Sequence, residues 1–344
     1  MATRAHLTSV AARLTFQSPR GAARATVRLR AARWPLVGVA LASVAVVRLR
    51  RRIGLPRWLS TALAAPVPLA LALALPRGRA RVALVWAAQM WAYKACFEIP
   101  YDRPARLRSR LRIEPPLRFD ARLAGGAPPT ERLQRRLRER GRVSGVDRAL
   151  TAVYALWEAE PHVALAVVLA RRPDRFAALA LRQAATFDLT LLGYWLVPTA
   201  PPWWASEEAG LMDGSVQRVT TRVVRDLRGE PLEQEDVEGA NPWASMPSDH
   251  FASALAAGLA LAEVGPAAGA AGLGYALLLG FALVYLGEHY VADLLAGAAL
   301  ALAVAAAEPL AAPAAARIGA LLRELEPSAR ESPGRPHGRR LAGQ

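Results

Sequence analysis

Long apolar runs separated by short arginine-rich connections set the pattern of this chain. The runs Trp58–Leu75, Val82–Ile99, Ala149–Ala170 and Phe176–Val197 are each long enough to cross a bilayer as a helix. Phe251–Leu286 is too long for one crossing, and Gly265-Pro266 divides it into two helices. A last span runs from His289 to about Ala307, while Pro35–Val47 is short, flanked by arginines and marginal. The pattern predicts an all-α, polytopic membrane helical bundle with seven good spans and one marginal one. Small residues crowd Ala252–Ala260 and Ala296–Ala307, which permits close helix packing without a hydrophobic driving force.

Arginine in the short connections orients the bundle. Arg77, Arg79 and Arg81, and Arg171, Arg172 and Arg175, mark cytoplasmic turns, as do the arginines of the C-terminal tail. Alternation then places the loop 199–249 outside, and the nine acids against four arginines over residues 206–240 agree. The predicted organisation is a basic, disordered arm at 1–33, N-terminal spans at 34–99, and an amphipathic extracytoplasmic segment at 100–148. A catalytic membrane domain at 149–307 and a partly disordered cytoplasmic tail at 308–344 complete it. Residues 100–148 hold many arginines, including Arg132, Arg135 and Arg136, yet alternation puts them outside; long segments translocate largely regardless of charge.

Composition narrows the function classes. Of 344 residues, 53% are apolar and 21% charged, which suits a membrane protein with charged loops. The formal net charge is +16 and Lys94 is the only lysine; arginine-for-lysine usage throughout reflects base composition better than a nucleic-acid surface, so no nucleic-acid partner is expected. The single cysteine, Cys96, excludes an intrachain disulfide and a cysteine-built metal site. Residues 1–33 lack the apolar core of a secretory signal.

Two polar phrases interrupt the lipid-like sequence. One is Ser245-Met246-Pro247-Ser248-Asp249-His250, the other Gly287-Glu288-His289-Tyr290-Val291-Ala292-Asp293. Ionisable side chains at membrane depth are costly and mark function. Each phrase opens a helix, where free N–H groups and the helix dipole favour an anion, so two such mouths on one face suggest a phosphate site. His289 and Asp293 are i and i+4 and share a helix face; the carboxylate can accept the imidazole Nδ1–H and leave Nε2 as a nucleophile. Ser248 is a natural N-cap able to bind phosphoryl oxygens, and His250 can protonate a departing alkoxide. An ordinary satisfied polar pair and a plain capped helix are the bland readings of the same residues.

Together the phrases resemble the type 2 phosphatidic acid phosphatase superfamily, and within it the inositol phosphorylceramide synthase branch. Pro247-Ser248-Asp249-His250 matches the family's Pro-Ser-x-His motif, and His289 with Asp293 matches His-x-x-x-Asp. Pro198-Thr-Ala-Pro-Pro-Trp203 is also similar to that branch. The resemblance implies a six-helix phosphatase-type core with one or two extra N-terminal spans, and a phosphohistidine formed on His289. It implies that Asp293 orients the nucleophile, that His250 is the acid/base and that Ser248 binds phosphate. No metal and no cofactor are expected. The expected partners are a lipid phosphate or phospholipid donor, a water or alcohol acceptor, and the bilayer of a cell membrane, with the site on the extracytoplasmic face.

Three positions depart from the family pattern. Asp249 would repel phosphate if it faced the site. Leu283 stands six residues before His289, where hydrolytic members usually carry an arginine. The Lys-x6-Arg-Pro element is approximated only by Lys94 and Arg103-Pro104, making Lys94 and Arg103 the expected phosphate-binding cations, with Arg218, Arg222, Arg225 and Arg228 as rivals. Glu158, Glu160 and His162 form a further polar cluster inside a span, with Glu158 and His162 at i, i+4 spacing. Hydrolysis of phosphatidic acid or a polyprenyl phosphate is the alternative chemistry. A transporter, or a non-catalytic lipid-binding relative, is the alternative of another class.

Overall fold

Helices follow the apolar runs. The structure, a computed structural model, describes residues 19–139, 141–231 and 241–325, of which the elements are helical with no strand among them. The helices are α1 (Pro19–Leu49), α2 (Arg57–Ala64), α3 (Val67–Ala74), α4 (Arg79–Glu98), α5 (Pro104–Arg108), α6 (Glu114–Leu123), α7 (Pro129–Leu137) and α8 (Gly145–Leu156). They continue as α9 (Glu160–Arg171), α10 (Phe176–Leu196), α11 (Pro202–Glu207), α12 (Val219–Arg228), α13 (Asp249–Ala262), α14 (Pro266–Tyr285) and α15 (Val291–Leu325).

The chain divides into two units, residues 1–92 with 313–344, and residues 93–312. In the first, Ala40, Val67 and Ala88 form a core with Val44, Ala70, Leu71 and Trp91 around them. The expected basic arm falls outside the described residues up to 18; from Pro19 onward the chain is one helix through Leu49, including Pro35. The helix begun at Val291 likewise continues to Leu325, beyond the expected end near Ala307, because the alanine-rich sequence after Pro313 supports helix as well as the span does.

Among the described residues three helices are long and apolar enough to cross a membrane: Arg57–Ala74, Pro266–Tyr285 and Val291–Leu321. A fourth is added if α8 and α9, bent by 49°, are taken as one span. The other expected crossings are helices that fall short on length or polarity. The helix α13 has 14 residues, about 21 Å at 1.5 Å per residue. The helix α10 carries Arg182, Gln183 and Asp188. Two of these turn inward, Arg182 pairing with Glu263 at 3.3 Å and Glu308 at 3.4 Å and Gln183 donating to the Ser253 carbonyl, whereas Asp188 is exposed.

In the second unit α13 and α14 form a hairpin that starts afresh at Pro266, whose missing N–H costs nothing at a helix start. Gly258 and Gly272 let the two backbones touch: a Cβ on Gly258 would lie 2.9 Å from the Gly272 carbonyl carbon. Within the segment 100–148, α7 packs on protein through one side. Leu133 of α7 joins the core of Leu150, Val219, Ala282 and Tyr285, although Leu137 stays exposed. Gln134 explains this docking, because it donates to the Gln217 and Tyr285 carbonyls (2.9 and 2.8 Å) and accepts from the Gln217 N–H. The start of α8 has a capping box between Ser144 and Asp147, and Asp147 also accepts from the Tyr285 hydroxyl at 2.5 Å.

Candidate active site

The alternation α13 down, α14 back and α15 down returns the starts of α13 and α15 to the same end, and there the two histidines meet. His250 Nδ1 lies 3.2 Å from His289 Nε2. On the other side of the His289 ring, Nδ1 lies 3.3 Å from Asp293 Oδ2. That oxygen also accepts from Ser245 Oγ at 2.5 Å and from the Tyr290 N–H at 2.9 Å. With Nδ1 protonated toward the carboxylate, Nε2 keeps its lone pair, and His250 Nδ1–H donates to it. His289 and Asp293 are buried, so their bond is not screened by solvent.

Close packing places these groups. Ser248 caps α13, its hydroxyl accepting from the Phe251 N–H at 3.3 Å, and its own N–H donates to the Asp293 carbonyl. This seam depends on Gly297, where a Cβ would sit 2.6 Å from the Ser248 carbonyl oxygen. The His250 ring is held by Trp157, 4.2 Å between centroids, and Tyr154, 5.1 Å. Trp157 is fixed in turn through its indole N–H to Ser253 Oγ. Both aromatics flank the break between α8 and α9, so Glu158 and His162 no longer share an uninterrupted helix; both are exposed, and the Glu160 carboxylate oxygens are buried without a hydrogen-bond partner.

Asp249 does not face the histidines. Its Oδ2 accepts from the Tyr93 hydroxyl at 2.6 Å and its Oδ1 from Thr190 at 3.2 Å, which ties α13 to α4 and α10. Leu283 is fully buried among Ala254, Ala276, Leu279 and Leu294. No cation therefore stands at that place. Lys94 and Arg103 are exposed, and among the described residues neither is joined to the histidine pair by a hydrogen bond or ion pair. The Lys94 charge nevertheless acts through space on Asp249 and His250.

The helix mouths expected to receive phosphate are occupied by protein. Asp120, on α6, accepts from the Val291 N–H at 2.8 Å and the Ala292 N–H at 3.0 Å, closing the start of α15. Burial raises its carboxyl above the ordinary aspartate value, although both N–H groups favour the ionised form. At α13 the Ser248 hydroxyl takes the Phe251 N–H and the Tyr194 hydroxyl takes that of Asp249.

Arg218 borders the site instead. Its Nε and Nη2 donate to the two oxygens of Glu288, at 3.0 and 3.4 Å, and Thr220 donates to the same carboxylate at 2.5 Å. The guanidinium lies over the Trp203 ring, 4.7 Å from its centroid. Burial works against the Arg218 charge, and the surrounding groups, Glu288 first and Glu207 among them, together more than restore it. Trp203 donates its N–H to the Gly287 carbonyl at 3.1 Å, so the Pro198–Trp203 segment is bonded to the turn that presents His289. At that turn Gly287 has φ +82°, a conformation glycine adopts without strain.

Ser245 and Asp120 were not among the residues expected from sequence. Ser245 sits in an irregular loop, held by Thr199, whose carbonyl accepts from its N–H and whose hydroxyl accepts from Met246. Asp120 acts 171 residues away in sequence. Neither relation leaves a local signal, whereas Ser144-x-x-Asp147 before an apolar run does.

A family model described as the PAP2 superfamily matches residues 121–307, which contain Ser248, His250, His289 and Asp293 and leave Lys94 and Arg103 outside. No curated protein and no solved structure matches the chain. With more than half its length matched, the chain belongs to the PAP2 superfamily, a helical membrane family of phosphatase-type, lipid-related function.

Proposed function

We propose that the protein is a membrane lipid phosphotransferase or phosphatase working through a phosphohistidine, with transfer of a phospholipid headgroup, as in inositol phosphorylceramide synthases, as the leading reaction. The observation that carries this reading is the line Asp293–His289–His250, with contacts of 3.3 and 3.2 Å. His289 Nε2 attacks phosphorus, the phosphorus–oxygen bond to the leaving group breaks, and His250, acting as the imidazolium, passes its Nδ1 proton to the departing oxygen and becomes neutral. Water or an alcohol then attacks the phosphohistidine and gives its proton to His250, and the nitrogen–phosphorus bond breaks. Asp293 holds the His289 tautomer and balances the positive charge that develops on its ring. Ser248, Lys94 and Arg103 are proposed to help bind phosphate, and the reaction is proposed to need no metal ion.

Transfer is favoured over hydrolysis by the buried Leu283, which stands where hydrolytic members usually carry an arginine, and by the docked Pro198–Trp203 segment. The site is proposed to face the extracytoplasmic side of a cell membrane, on the distribution of arginine in the connections. Purified protein would be given labelled phosphatidic acid, a polyprenyl phosphate or phosphatidylinositol, each with and without ceramide or diacylglycerol. Headgroup transfer from phosphatidylinositol that His289→Ala abolishes is the expected result. Release of free phosphate regardless of added alcohol would establish hydrolysis instead, and turnover untouched by His289→Ala or lost on chelation would contradict the mechanism.

A further inference from the structure

Lys94 and Arg103 are exposed, and among the described residues no cation is bonded to the histidine pair. Phosphate brings at least one negative charge into a buried place, where an unbalanced ion is strongly disfavoured. Neither helix mouth supplies a free donor set, because Asp120 and Asp293 already close α15 and Ser248 and Tyr194 close α13. Position 283 supplies no cation, its leucine being sealed in the core.

Arg218 is placed to meet this need. Glu288, which orients it, is the residue immediately before His289. The guanidinium is bonded side-on, through Nε and Nη2, and among the described residues Nη1 has no hydrogen-bond partner. Thr220 shares the Glu288 carboxylate and Trp203 underlies the plane, so the group is fixed from two sides. Arg218 lies within electrostatic range of Tyr154, whose ring packs on His250 at 5.1 Å between centroids. Its side chain is 34% exposed, so it stays reachable. A planar, oriented guanidinium with donors to spare suits a tetrahedral oxyanion better than a mobile lysine does.

We infer that Arg218, aimed by Glu288 and Trp203, is a phosphate-binding cation of this site, additional to Lys94 and Arg103. The ligand it would take is the phosphoryl group of the lipid substrate. This inference rests on the proposed function and can fail separately from it.

The test is inhibition by orthovanadate, a phosphate mimic, measured on detergent-purified full-length protein turning over a lipid substrate. Wild type and His289→Ala establish first that turnover depends on His289; if it does not, the proposed function fails. Given that dependence, Arg218→Ala is expected to weaken vanadate inhibition about 10–100-fold, the range of one lost charge-assisted hydrogen bond or two. Arg218→Lys is expected to fall between, and added guanidinium to restore part of the loss in Arg218→Ala but none in wild type. The double variant Arg218→Ala/Glu288→Gln removes the stranded carboxylate, so a folded protein lacking the cation is obtained even if the single variant misfolds. Arg228→Ala, an exposed arginine of the same helix, is expected to leave inhibition unchanged. Vanadate inhibition unaltered in the double variant and in Arg218→Lys, with His289 dependence intact, would overturn the inference.

Discussion

His250 Nδ1 and His289 Nε2 are 3.2 Å apart, in direct contact with no atom between them. The nitrogen proposed to attack phosphorus is therefore occupied in the free protein, and substrate must displace the His250 N–H as it enters. In the proposed mechanism the same proton passes to the leaving oxygen. His250→Ala is expected to lower kcat about 10²–10⁴-fold on a lipid substrate, and much less on an aryl phosphate ester whose leaving group needs no proton. Equal losses on both would show that His250 does not act as the acid.

Asp249 is a structural carboxylate, bonded to Tyr93 and Thr190. Asp249→Ala strands two buried hydroxyls and is expected to cost about 2–4 kcal/mol of stability. Asp249→Asn keeps an acceptor for Tyr93 and costs less, with KM for the lipid phosphate unchanged. Thermal unfolding in detergent and steady-state kinetics check both; a clear fall in KM for Asp249→Asn would mean that the carboxylate repels substrate after all.

Gly297 holds the two motifs together, since its Cα–H faces the Ser248 backbone. Gly297→Ala is expected to separate α13 from α15, costing about 1–3 kcal/mol and lowering kcat on the order of 10²-fold by misplacing the histidines. Gly274→Ala, which meets nothing within 4 Å, serves as the comparison and is expected to be silent in melting and turnover.

Asp120 carries a pH signature. Its pKa is raised in the folded protein by burial, so the folded state holds the proton more tightly than the unfolded one. The stability this contributes is full below the ordinary aspartate value and is lost as pH rises through the raised value. Melting temperatures of wild type and Asp120→Asn, compared across that window, are expected to converge as pH increases. A gap that widens with pH would contradict the assignment.

The helices and the two polar phrases are legible in sequence because each is local: apolar runs for the spans, i, i+4 spacing for His289 and Asp293, Pro247-Ser248 for the start of α13. Glu288 was visible but its direction was not, since Arg218 and Thr220 reach it across 70 and 68 residues. The helix mouths were read as open because a cap supplied from afar, as by Asp120, leaves no trace beside the helix it closes. Leu133 shows the same limit: its period is right for an amphipathic surface helix, and only the long-range bonds of Gln134 determine that the apolar side meets protein.

In the proposed mechanism His289 carries the phosphoryl group. Rapid quench of the purified protein with phospholipid radiolabelled at phosphorus, followed by peptide mapping, would detect that intermediate. An acid-labile, base-stable label on the peptide containing His289, absent from His289→Ala and accumulating when the acceptor is withheld, is the predicted result. Turnover without any such label on the wild-type protein, or label retained in His289→Ala, would contradict it.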